Sequence, residues 1–231
     1  MNTEQSPRNW TRVDLVLLGA VFFLVITALY TSVSVRNSSA IDQEKPGTGI
    51  YKSTFLCGKM GNLQCKVGQI GPGGGTVLFV DYDNEYTTFN FLEAAPAGWA
   101  QNKELVDPTF KWCSDTTNKV LSANTWNSRQ IGLGKFNTSE MLKVCKSGAA
   151  FEVQKFNLSK TNKFNDWFLP SEGELMLISA NLQGLAGLAD SDYWSSSEYS
   201  DVGGWVQAIG HGYQGSASKE TLFHVRPIRQ F

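Results

Sequence analysis

The sequence is short of charge, histidine and long polar tracts. Charged residues make up 18% of its 231 positions, where about 25% is usual, and Lys plus Arg (20) almost balance Asp plus Glu (21). Setting aside Arg8, Arg12, Glu4 and Asp14 still leaves 18 against 19. No basic field exists to hold a phosphate backbone, so a nucleic-acid partner is not expected. A zinc centre is also excluded: no two cysteines form a C-x-x-C pair, and His211 and His224 stand alone. No cofactor is implied. Internal repeats and low-complexity tracts are missing as well, which leaves one domain as the economical count.

What the sequence does hold is 22 Gly and 7 Trp, a composition of loop-rich, aromatic-studded β or α+β domains rather than helical bundles. It also holds one apolar run, LVLLGAVFFLVITALYTSVSV over residues 15–35. As a helix this run extends about 30 Å, one hydrocarbon core, and makes the lipid bilayer a partner. A secretory signal has an apolar stretch of only about 7–15 residues and small residues before its cleavage site; Ser32 and Ser34 serve that poorly, so the run reads as an uncleaved anchor. Arg8 and Arg12 precede it and favour a cytoplasmic N-terminus. The expected order is a cytoplasmic tail (1–14), a single-pass anchor (15–35), a polar Pro- and Gly-containing stalk (36–49) and a folded domain (50–231), periplasmic or extracellular. The processing site of a type IV pilin is absent.

Within the domain, Gly73-Gly74-Gly75 is a turn feeding the strand Thr76–Val80, whose two apolar faces suggest a central position. A second strand is expected over Phe89–Ala94. Asn137–Gly148 has a polar start, Met141, Leu142 and Cys145 at helical spacing and a closing Gly, and reads as a first helix. Ser171 and Glu174 form a capping box before Leu175, Ile178 and Leu182, a second helix. Tyr193–Ser196, Trp205–Ile209 and Leu222–Ile228 are strand-like. Such an order argues an α+β fold, a mostly antiparallel sheet with two flanking helices.

Cys57, Cys65, Cys113 and Cys145 all lie beyond the apolar run, and an even count in an exported domain favours disulfides, with three possible pairings. Local pairing, Cys57 with Cys65 and Cys113 with Cys145, is the preferred one.

Seven stretches share one pattern: Gly74–Val80 (GGTVLFV), Leu92–Pro96 (LEAAP), Trp112-Cys113, Ile131–Gly134 with Asn137-Thr138, Asp166–Leu175 (DWFLPSEGEL), Tyr193–Glu198 (YWSSSE) and Val225–Phe231 (VRPIRQF). Together they resemble the Lcl C-terminal-like domain of bacterial surface proteins, over most of residues 68–231. The resemblance implies a C-type-lectin-like fold of the formylglycine-generating-enzyme kind, in which the first and last strands pair. It also supports joining Cys113 to Cys145. The chain departs from the pattern with Lys-Trp-Cys before that cysteine and with Asp81–Thr88 in place of a glycine-rich turn.

Chemistry-bearing motifs are few. Gly71–Gly75 opens a strand rather than a helix and so is a turn, not a phosphate cradle. Ser216-Ala217-Ser218-Lys219 matches S-x-x-K but is expected in a Gly-rich turn rather than at a helix start in a cleft. Asp81, Asp83, Asn84 and Glu85 carry oxygen ligands without the glycine and spaced Glu of an EF-hand loop. The paired motifs of calcium-dependent sugar-binding lectins are missing too. Trp167, Phe168 and Trp194 are expected in the core, and Arg226 and Arg229 are expected to pair with internal acids such as Asp166 or Glu198. Glu198, Tyr199, His211 and Tyr213, nearer turns, are the candidate ligand contacts. No residue is assigned a catalytic role. The functional expectation is a membrane-anchored, non-enzymatic binding or adhesion domain for a glycan or a protein. The alternatives are an oxidase-like enzyme and a structural subunit of an envelope or pilus-like assembly.

Overall fold

A computed structural model describes residues 56–100, 105–122, 126–160 and 162–231. The expected tail, anchor and stalk lie outside the described residues, and among the described residues no helix is long and apolar enough to cross a membrane. Everything described belongs to one compact unit, Lys52–Phe231.

Among the described residues, ten strands and three α-helices make an α+β fold. A two-stranded hairpin pairs β1 (Leu56–Cys57) with β2 (Leu63–Gln64), a three-stranded sheet runs β10 (Ile228–Gln230), β4 (Phe91–Ala94), β3 (Thr76–Val80), and a five-stranded sheet runs β5 (Thr109–Phe110), β9 (Phe223–His224), β6 (Asp192–Ser200), β7 (Gly203–Ala208), β8 (Gln214–Ser218). All pairings are antiparallel except β6 with β9. Successive residues of β6 feed opposite cores, as a pleated strand requires. Trp194 joins Trp112, Met141, Val153 and Val206 in one cluster, while Tyr193 joins Leu78, Phe168, Ile178 and Ile228 in the other. Trp167 and Phe168 are buried as expected.

Four expectations need correcting. The strand Thr76–Val80 is not central: β4 lies in the middle and β3 at the edge. Its burial comes from a loop that covers the outer side, with Val77 donating to Gln69 O, Gly68 donating to Val77 O and Ile70 bridged to Thr76. The helix expected over 137–148 is α1 (Gly134–Val144), which ends before Cys145, and an unexpected helix, α2 (Ala149–Asn157), follows it, so among the described residues three helices rather than two flank the sheets. The polar start of that expected helix, Asn137 and Thr138, is buried inside α1 and hydrogen-bonds Ser128 O and Leu169 O. The break has a covalent cause. Cys145 is extended and tied to Cys113, and Gly148, at φ +102, brings its backbone so close to Cys113 that a β-carbon there would lie 2.9 Å from the Cys113 Cα. Leu222–Ile228 is likewise split, because Pro227 donates no hydrogen bond and Arg226 turns inward between β9 and β10. Finally, Ser216–Ser218 lies on β8, not in a turn.

Both local disulfides are present, Cys57–Cys65 inside the small hairpin and Cys113–Cys145 between the segment after β5 and the end of α1. The last strand returns to the sheet of the first long strands, pairing with β4 rather than with β3. The third helix, α3 (Glu172–Leu182), starts at a complete capping box: Ser171 Oγ accepts from Glu174 N, and the Glu174 carboxylate accepts from Ser171 N.

Candidate functional site

The four expected contact residues are not one site. Glu198 is buried on β6 and committed inward: its carboxylate accepts from Val120 N (2.7 Å), Leu121 N (2.9 Å) and Lys219 Nζ (2.6 Å). Lys219, the lysine of the S-x-x-K match, is equally buried and also donates to Asn118 O and Asp201 O. The pair clamps the 113–121 loop and leaves no base beside an exposed serine. His211 sits exposed in the β7–β8 turn. Tyr213 lies over Gly215, where a β-carbon would meet its ring at 2.8 Å. Tyr199 lies instead against Trp205, the register partner of Ser216. Gly215 and Ser216 point to opposite faces of the ribbon, so the two tyrosines are on opposite sides.

The arginines find acids, only partly those expected. Arg229 makes a bidentate pair with Asp166 (2.8 and 2.9 Å) and approaches Glu93 at 3.7 Å. Arg226 pairs with Asp107, which also accepts from Trp99 Nε1 and the Tyr193 hydroxyl. Burial, and then the Asp107 carboxylate, holds the Tyr193 hydroxyl well above the ordinary tyrosine range. Glu93 lies under the glycine loop, accepting from Gly73 N and Gly75 N. Burial raises its carboxyl, while the Gly73 N–H and the Arg229 charge pull the other way. All three arrangements hold the fold.

The acidic loop is also a turn. Asp81, 2% exposed, accepts from Glu85 N and Tyr86 N, and among the described residues no three His, Cys, Asp or Glu side chains are grouped to hold a metal.

Chemistry faces solvent where the 127–134 segment meets the start of α3. Three consecutive residues of α3 hold that segment, each in its own way. The Glu172 carboxylate takes Arg129 Nε at 3.0 Å and Nη2 at 2.9 Å. Gly173 lets the chain approach, since a β-carbon there would lie 2.8 Å from Arg129 O. Glu174 accepts from Gly132 N at 2.8 Å, and burial pushes its carboxyl up to about 7 against the backbone N–H groups of Ser171, Gly132 and Gly134. Carboxylates in a first helical turn also meet the positive end of the helix dipole. The Arg129 guanidinium so placed is flanked by two indoles, Trp205 at 4.0 Å and Trp126 at 4.8 Å. Tyr199 meets Trp205 edge-on at 5.2 Å. Trp126 is 73% exposed and Tyr199 48%. Arg129 Nη1 has no hydrogen-bond partner among the described residues, although the residue is partly open to solvent.

This face combines ring surface, unused N–H donors and, on neighbouring β8, the exposed hydroxyls of Ser216 and Ser218. Trp126, Arg129 and Trp205 were not among the expected contacts. A capping box reads locally, but the partner of Glu172 is 43 residues upstream.

A separate cleft of about 340 Å³ opens among Trp99, Phe110, Phe156 and Ser159, with the ion-paired Glu152 and Lys155 at its rim. All four cysteines are in disulfides, so none offers a thiolate.

No family model and no curated protein matches this sequence. Among solved structures, the chain is similar to a fimbrial protein from Bacteroides ovatus, at 15% identity and a TM-score of 0.48, over 68% of this chain and 44% of that one.

Proposed function

We propose that this chain is a membrane-anchored, exported, non-enzymatic binding domain whose ligand, a glycan or a protein surface, lands on the Trp126–Arg129–Trp205–Tyr199 face. One observation carries the reading: a guanidinium held by Glu172 beside two indole rings, with an unused donor edge and exposed aromatic surface next to it. Aromatic and arginine side chains of this kind dominate binding energy where they are presented on rigid elements. Two closed disulfides suit an oxidising compartment, and an oxidase-like reading lacks the reduced cysteine pair it needs. The apolar run at 15–35 supports an anchor, and the motifs shared with the Lcl C-terminal-like domain support a lectin-like surface module.

The test is a glycan array and a pull-down with the detergent-solubilised full chain, repeated with Trp126→Ala and Tyr199→Ala. A saturable partner whose binding falls at least about tenfold in both variants, at an unchanged melting temperature, supports the proposal. No saturable partner, or a partner indifferent to both substitutions, overturns it.

A further inference from the structure

We infer that this face selects a neutral, hydroxyl-rich glycan over a sulfated or uronate-rich one, an inference that rests on the binding face proposed above. Arg129 supplies donors without supplying net charge. Its guanidinium is matched by Glu172, whose side chain is only 5% exposed, so the pair is electrically neutral and a ligand carboxylate or sulfate arriving at Nη1 also meets the field of a nearly buried carboxylate. The Trp205 and Trp126 rings lie 4.0 and 4.8 Å from the guanidinium carbon. Nε and Nη2 are taken by Glu172, so a ligand meets the guanidinium at Nη1, whose N–H groups point to in-plane oxygen acceptors. A sugar hydroxyl fits that edge and can donate onward, whereas a phosphate or sulfate gains little once the arginine charge is spent.

The surroundings favour the same ligand. Ser216 and Ser218, exposed on β8, project from the face that carries Trp205, and they offer hydroxyl groups rather than ammonium groups. The exposed rings of Trp126 and Tyr199 supply apolar planes of the size of a pyranose, whose C–H face packs on an aromatic ring while its rim hydroxyls reach polar neighbours. Polyanion sites are built differently, from clustered Lys and Arg whose binding weakens steeply with salt.

The probes are neutral oligosaccharides (gluco-, manno- and galacto-configured) and a matched anionic set (heparin, chondroitin sulfate, alginate). Binding to the full chain in neutral detergent is titrated at roughly 50 and 500 mM NaCl. The expected result is saturable binding of at least one neutral set, changing less than about twofold between the two salts, and falling at least about tenfold in Arg129→Lys, which keeps the charge but loses the planar edge. Glu172→Gln, which unmasks the arginine charge while keeping an acceptor, should newly admit the anionic set in a salt-sensitive manner. Salt-sensitive binding of the anionic set alone by the unmodified chain overturns the inference and leaves the binding face standing. So does a protein partner lost with Trp126→Ala when no oligosaccharide binds. Glycan binding indifferent to Trp126→Ala and Tyr199→Ala, or no binding at all, removes both.

Discussion

Replacing Lys219 with Met should destabilise the domain by about 3–5 kcal/mol, because it leaves the Glu198 carboxylate buried without its cation. The ion pair has 0% and 2% side-chain exposure, so solvent cannot screen the orphan. Two backbone N–H groups, of Val120 and Leu121, remain on the carboxylate, and they soften the loss without cancelling the charge. At about 2–4 °C per kcal/mol for a domain of this size, the melting temperature should drop by roughly 6–20 °C. Adding Glu198→Gln should recover part of the loss. It removes the unpaired charge and keeps one acceptor oxygen, so about 1–3 kcal/mol should remain, from the N–H group left unsatisfied. The double variant is thus expected to be more stable than Lys219→Met alone, a sign that no additive scheme produces. Urea unfolding of the full chain and three variants at one pH reads all four corners. A Lys219→Met chain within about 1 kcal/mol of the unmodified one, or a double variant less stable than either single one, would refute the reasoning. Glu198→Gln alone should change stability without changing any ligand affinity measured at the proposed Trp126 face, unlike a contact residue.

Three further outcomes are expected. Cys145→Ser should cost more than Cys65→Ser: the loops span 32 and 8 residues, which the chain-entropy model converts to about 3.7 and 2.5 kcal/mol, and thermal melting with thiol counting should find that order and one new free thiol in each. The Glu174 carboxyl titrates near 7 in the fold against an ordinary 4.5, so the folded state holds the extra proton and stability should fall as pH rises from about 4.5 to 7, on the order of 3 kcal/mol at most; Glu174→Gln should flatten that slope, and parallel curves would contradict it. Gly73→Ala should cost about 1–3 kcal/mol by overpacking, its β-carbon meeting Glu93 Oε1 at 2.2 Å and the Trp167 ring at 2.8 Å, whereas Gly74→Ala, with open space but φ +81, should cost only about 1 kcal/mol, as calorimetry of the pair can show.

Features with a short range in the chain were legible in the sequence. The capping box at Ser171–Glu174, the Cys57–Cys65 bridge and the core placement of Trp167, Phe168 and Trp194 need only neighbouring residues or an apolar pattern, while the Cys113–Cys145 bridge, 32 residues apart, is expected from the preference for local pairing together with the family resemblance. The proposed binding face needs more. Arg129 is an ordinary polar residue in a loop until α3 brings Glu172 under it and β7 brings Trp205 over it. Glu198 misled for the opposite reason: an acid among serines and aromatics resembles a surface group, and its counter-charge, Lys219, looked like a spare residue in a chance motif. The apolar faces of Thr76–Val80 suggested a central strand because composition registers burial but not what does the covering, here the 68–70 loop.

The closing segment imposes a schedule on folding. Phe223–Gln230 supplies a strand to each of the two larger sheets, and Arg226 alone reaches Asp107 across 119 residues and Ala95 O across 131. Contacts that distant are made late, because the chain loses the entropy of a long loop before gaining the pairing. Until this segment arrives, β4 lacks one of its two neighbours, β5 lacks its only one, and Asp107 is an uncompensated charge bound for an apolar interior. During synthesis from the N-terminus the fold therefore stays open until Phe223–Gln230 emerges, with Phe91, Leu92 and Trp99 uncovered until then. That wait for Phe223–Gln230 is the domain's most dangerous interval for aggregation.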